Sequence, residues 1–113
     1  GLLARAGVIG ERIGGRLRAL QAEFAQIGDV RGKGAMIGIE FVRDEARTPD
    51  AAVVTAIVDH ARDAGLILLP TGSYGNVIRL LPPLNLSDDE LDEGVEKLEA
   101  AIRYALTTVA AAV

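Results

Sequence analysis

The chain has 113 residues, of which 50% are hydrophobic and 25% charged, the proportions of one ordinary domain with a core of its own. Its 12 Lys and Arg against 16 Asp and Glu leave a net charge of -4 and no basic stripe, which argues against a nucleic-acid surface. With no cysteine, disulfides and thiolate metal sites are excluded, and no apolar run reaches the ~20 residues that span a bilayer.

The first element is predicted to be a helix. Ile9, Ile13, Leu17, Leu20 and Phe24 recur at helical spacing and mark one apolar face, with Arg12, Arg16, Arg18 and Glu23 on the others. Gly10, Gly14 and Gly15 each cost a helix interior roughly 1 kcal/mol against Ala, so packing must hold it. Gly28 with Asp29 is expected to end it. Residues 30–42, VRGKGAMIGIEFV, then read as a strand in which Ile37, Ile39 and Phe41 alternate with Met36, Gly38 and Glu40.

A polar loop, RDEARTPD, follows. Thr48 is the expected N-cap of a second helix and Pro49 its first residue. Val54, Ile57, Val58 and Ala61 give that helix its apolar stripe, and Gly65 stops it in the left-handed conformation. Residues 66–69 read as a short strand, PTGSYGN as a loop, and residues 77–81 as a third strand halted by Pro82 and Pro83. Ser87 opens the last helix with Glu90 completing a capping box. Leu91, Val95, Leu98, Ile102, Leu106 and Val109 form its stripe, and the tail TTVAAAV is expected to fray. The expected fold class is α+β: a small, mostly antiparallel sheet of about three strands packed with three helices.

Arg79 stands inside the apolar run VIRLL, and a guanidinium cannot shed its proton to escape burial. Strand parity sends Ile78 and Leu80 to one face and Val77, Arg79 and Leu81 to the other. If the helices cover the Ile/Phe face, Arg79 lies on the opposite one. Either it is a surface or paired arginine, with Glu40 as candidate partner, or it is an anion clamp offering two parallel donors.

Other motifs carry less. GKG at residues 32–34 lacks the Ser or Thr and the helix of a phosphate loop, and reads as a turn. The glycines of GVIGERIGG lie within a helical pattern. His60, near Asp59 and Asp63, is the only histidine and reads as a solvated side chain rather than a metal ligand. Lys33 and Lys97 are the only lysines, and neither has the desolvated setting of a Schiff-base lysine.

Two segments carry a resemblance. DVRGKGAMIGIEFV and GLILLPTGSYGNVIRLLPPLNLSDDELDEGVEKLEAAI resemble the C-terminal part of class III, pyridoxal-phosphate-dependent aminotransferases, most nearly bacterial 4-aminobutyrate aminotransferases. The likeness runs from the first helix to the last. It implies the C-terminal small domain of a fold-type I enzyme, with residues 1–113 as that one domain. It implies that Arg79 binds a substrate carboxylate, with Gly72, Tyr74 and Asn76 in the loop beside the substrate entrance. It further implies a cytoplasmic homodimer that moves an amino group from 4-aminobutyrate or a related ω-amino acid to 2-oxoglutarate. The pyridoxal 5'-phosphate lysine of such enzymes lies in a large domain upstream and has no counterpart here. The fragment alone is therefore expected to hold no cofactor, to contain no catalytic residue and to be inactive. A second reading stays open: a free-standing α+β module for anion binding or dimerisation, without catalysis, membrane or nucleic-acid partner.

Overall fold

A β-hairpin replaces the single strand expected for residues 30–42. In the computed structural model, which describes residues 1–109, the order is α1 (Leu2–Glu23), β1 (Ile27–Lys33), β2 (Met36–Phe41), α2 (Ala51–Asp63), β3 (Leu69–Thr71), β4 (Val77–Leu80) and α3 (Asp88–Tyr104), which continues as a π-helical turn over Ala105–Val109. The GKG stretch closes the hairpin, with Gly34 at φ 58° supplying the left-handed turn residue. The four strands lie in the order β1-β2-β4-β3, and every neighbouring pair is antiparallel.

Several boundaries differ from expectation for local reasons. Helix α1 ends at Glu23, and Phe24 caps it in extended conformation. Gly28 and Asp29 are strand residues at an irregularity in the β1–β2 register, where Val42 crowds the space a Gly28 side chain would need. The cap of α2 is Asp50, which accepts from the Val53 N–H at 3.1 Å, while Thr48 donates to Asp44 instead. Strand β3 begins only at Leu69 and contains Pro70, which an edge strand tolerates because an outward N–H is not needed. Gly65 at φ 89° and the Ser87–Glu90 capping box stand as expected. The side chain of Val109 and residues 110–113 of the tail lie outside the described residues, whereas Thr107 and Thr108 remain helical.

One face of the sheet is covered. Ile27, Val30, Ile37, Ile39, Phe41 and Ile78 point into a single core with Ile9, Ile13, Leu17 and Leu20 of α1, Val53, Val54 and Ile57 of α2, and Leu91, Val95, Leu98 and Ile102 of α3. Each such side chain contributes roughly 1.5–3 kcal/mol by leaving water. Helix α1 reaches the hairpin so closely that a Cβ on Gly10 would lie 1.9 Å from the Gly34 carbonyl oxygen.

Helices α1 and α3 run parallel and are laced by charge. Arg5 pairs with Asp88 at 2.9 Å, Arg12 with Asp92 at 2.5 Å, Arg16 with Glu99, and Glu23 with Arg103 at 2.6 Å. The hydrogen bond from Arg5 holds the Asp88 carboxyl below its ordinary range, and that from Arg103 does the same for Glu23. No helix among the described residues is long and apolar enough to cross a membrane.

Candidate carboxylate site on the open sheet face

The register of the sheet places Arg79. Its cross-strand neighbours are Gly38 on β2 and Leu69 on β3, so these share the face that the helices leave bare. Val77 lies on the same side of the strand, and Leu81 follows just past the end of β4. Leu69 is 67% exposed and Leu81 73% exposed, whereas Ile78, one residue away, is wholly buried. Arg79 is thus exposed, with Leu69 and the Gly38 backbone, over which Arg31 lies, as its cross-strand neighbours.

The pairing of Arg79 with Glu40, one of the ordinary explanations for its presence, does not occur. Glu40 is taken by Arg47 at 3.2 Å and approached by Arg31 at 3.7 Å, and Arg31 also binds Asp29 at 2.8 Å. Among the described residues Arg79 has no carboxylate within ion-pair distance, although 11 ion pairs occur elsewhere in the chain. A planar fork of unpaired donors beside apolar side chains has the chemistry to take a small carboxylate. A groove of about 340 Å³ is lined by Arg79, Leu69, Leu81 and Pro82 and also by Leu91 and Leu98 of α3, which belong to the helix-covered side.

The loop before Arg79 is built rather than slack. Gly72 at φ 87° and Gly75 at φ 65° make its two sharp turns. Asn76 is buried, its Nδ2 donating to the Phe41 carbonyl at 3.1 Å while its own carbonyl accepts from the Phe41 N–H at 2.9 Å. These bonds tie the loop to the end of β2, so Asn76 positions the loop through its side chain. Tyr74 is 72% exposed at the loop tip. The structure therefore brings Arg79, Gly38 and Leu69 together and turns Asn76 inward.

Sequence reasoning missed Leu69 and the cluster of Asp29, Arg31, Glu40 and Arg47. Parity could have placed Arg31 with Glu40 once the hairpin was recognised; Arg47 comes from a loop, where no periodicity speaks. Of the lysines, Lys33 is exposed at the end of β1, and Lys97 pairs with Glu93 at 3.2 Å on α3. Neither is buried away from charge, so neither fits the nucleophilic lysine of a pyridoxal site. His60 is half-buried and stacks on Tyr104 with ring centroids 4.5 Å apart, rather than standing free in solvent.

Comparison with known proteins follows this geometry. The family model described as "Aminotransferase class-III" matches residues 1–102. The 5-aminovalerate aminotransferase DavT of Pseudomonas putida is 47% identical over 98 residues, which are 87% of this chain and 23% of that protein. The 4-aminobutyrate aminotransferase of Mycobacterium bovis is 46% identical over 96 residues, 85% of this chain and 21% of that protein. Among solved structures, an amine transaminase from an uncultivated Pseudomonas species, in the PLP-bound internal aldimine form, superposes with a TM-score of 0.79 at 38% identity. That match covers 92% of this chain and 24% of the other. The chain thus spans less than a quarter of the length of these relatives.

Proposed function

We infer, because this chain belongs to the class III aminotransferase family, that it is the substrate-side small domain of such an enzyme and that Arg79 grips the substrate carboxylate. The observation that carries this reading is the unpaired guanidinium on the open face, set among Leu69, Val77 and Leu81. Its likeness to enzymes named for 4-aminobutyrate and 5-aminovalerate supports a linear ω-amino acid as amino donor. A second carboxylic substrate, 2-oxoglutarate, is the proposed acceptor. Pyridoxal 5'-phosphate would supply the electron-withdrawing carbonyl chemistry, and the residues that hold it belong to the larger part of the enzyme. What this chain contributes is orientation: Arg79 fixes the carboxylate end, so the amine end is presented at one distance and angle. The Asn76–Phe41 bonds keep the preceding loop in place while this happens. The chain alone is proposed to be inactive.

The test is Arg79→Ala in the full-length enzyme. Stranding the substrate's charge in a site closed to water should cost on the order of 2–5 kcal/mol in kcat/KM for glutamate or 2-oxoglutarate. Unchanged kinetics with those substrates would remove Arg79 from the site. A second reading, an assembly module without catalysis, is favoured by the exposure of Ile67 at 81% and Leu81 at 73%. It predicts that Leu81→Glu abolishes association and that Arg79→Ala leaves any activity unaltered.

A further inference from the structure

The acidic side chain on the strand beside Arg79 is Glu40, and it is engaged elsewhere. Gly38 pairs with Arg79 and Glu40 with Val77, so Glu40 is the diagonal neighbour of Arg79 on the same open face. Such neighbours lie ~7–8 Å apart at their Cα atoms, within reach of two long side chains. From there an unengaged Glu40 carboxylate is able to reach the Arg79 guanidinium. Instead its carboxylate is bound by Arg47 at 3.2 Å, with Arg31 at 3.7 Å on its other oxygen.

Arg47 is placed there at a cost. It is the one non-glycine residue with positive φ, 62°, among the described residues. An L side chain in this conformation is strained, and such strain persists only where the surroundings impose it. Here the surroundings are specific. Asp44 accepts from both the backbone and the hydroxyl of Thr48, and the Arg47 N–H donates to the Asp44 carbonyl at 3.0 Å. The loop so folded aims the Arg47 guanidinium at the Gly28 carbonyl, 3.3 Å, and at Glu40. Arg31 lies over the bare Gly38 backbone, its Nε 3.8 Å from where a Gly38 side chain would begin.

We propose that Arg47, assisted by Arg31, is a positioning residue for the Arg79 clamp: the two hold Glu40 away from Arg79 and so keep its guanidinium free for a carboxylate ligand. This rests on the carboxylate reading of Arg79, and the experiment separates the two. The probe is the Arg79 Nε–Hε group of the 113-residue chain, followed by NMR for exchange with water and for its shift on adding glutarate. Arg47→Gly suits the left-handed backbone and removes the guanidinium together with its stem. Combined with Arg31→Met, it should slow Arg79 Nε–Hε exchange and weaken glutarate binding about three- to fivefold, the size of an exposed ion pair. Adding Glu40→Gln should restore both, a rescue that a merely structural role for Arg47 does not predict. Unchanged exchange in the folded double variant, or no restoration by Glu40→Gln, overturns the proposal. Glu40→Gln alone, a mild exposed change, should leave Arg79 exchange as in the wild type; faster exchange would mean Glu40 already touches Arg79, and the proposal fails. If glutarate never moves the wild-type Arg79 signal, the carboxylate reading falls, while the exchange data still decide whether Glu40 is held away.

Discussion

Gly10 and Gly15 sit five residues apart on the same helix and have opposite reasons to be glycine. A side chain on Gly10 would strike the Gly34 carbonyl at 1.9 Å, whereas nothing lies within 4 Å of a Cβ on Gly15. Gly10→Ala should therefore destabilise by about 1–3 kcal/mol, as overpacking does, and Gly15→Ala should stabilise by up to ~1 kcal/mol. Thermal unfolding of the two variants checks the contrast; equal effects would show that α1 does not sit on the hairpin turn as described. Asp50→Ala should lose about 1 kcal/mol through the missing cap on Val53. Thr48→Ala should leave the start of α2 intact, which amide exchange at residues 51–54 would show. These residues also show what sequence could not convey. Helical glycines are visible as a weakness in propensity, but only the partner across space tells which one is required. Likewise Thr48 and Asp50 are both good caps on paper, and the turn around Asp44 decides between them.

At the scale of elements, apolar periodicity carried most of the fold. The stripes of α1, α2 and α3 and the parity of β2 and β4 are all present, and parity alone put Arg79 on the uncovered face. The missing strand was β1, because Gly28, Asp29, Gly32 and Lys33 are poor strand formers that pair only through the hairpin. The ladder between α1 and α3 was equally invisible, since its partners lie about 80 positions apart along the chain. It makes stability depend on acid. The carboxyls of Asp88 and Glu23, and of Glu90 through its bond from the Ser87 backbone, are depressed below their ordinary values. A depressed carboxyl stabilises the fold fully above its unfolded value, about pH 4, and that contribution is lost as pH falls through the folded one. The melting temperature should thus hold from pH 7 to about 5 and fall at lower pH. Added salt should lower it modestly at neutral pH, because these pairs are exposed. A melting temperature indifferent to pH between 5 and 3 would show that the ladder contributes nothing.

For the whole molecule, the uneven distribution of apolar surface matters most. Ile67, Leu69 and Leu81 are exposed at 81%, 67% and 73% and border one groove beside Arg79. Contiguous apolar surface of this kind drives association in a soluble chain. Sedimentation of the 113-residue chain should show self-association that Leu81→Glu reduces; a strictly monomeric species at high concentration would argue that the patch is too small to matter.

The parallel pairing of α1 with α3 also sets an order of assembly. Helix α1 finds these ionic partners only in α3, about 80 positions further along the chain. While the chain emerges from a ribosome, α1 can meet the hairpin early, yet Arg5, Arg12 and Arg16 wait until Asp88, Asp92 and Glu99 have been synthesised. Local contacts in the meantime reward little of the closure entropy that such distant pairs demand. The nascent domain should stay open to proteases until its final helix is released, and nascent chains stopped before residue 88 should be cut within α1.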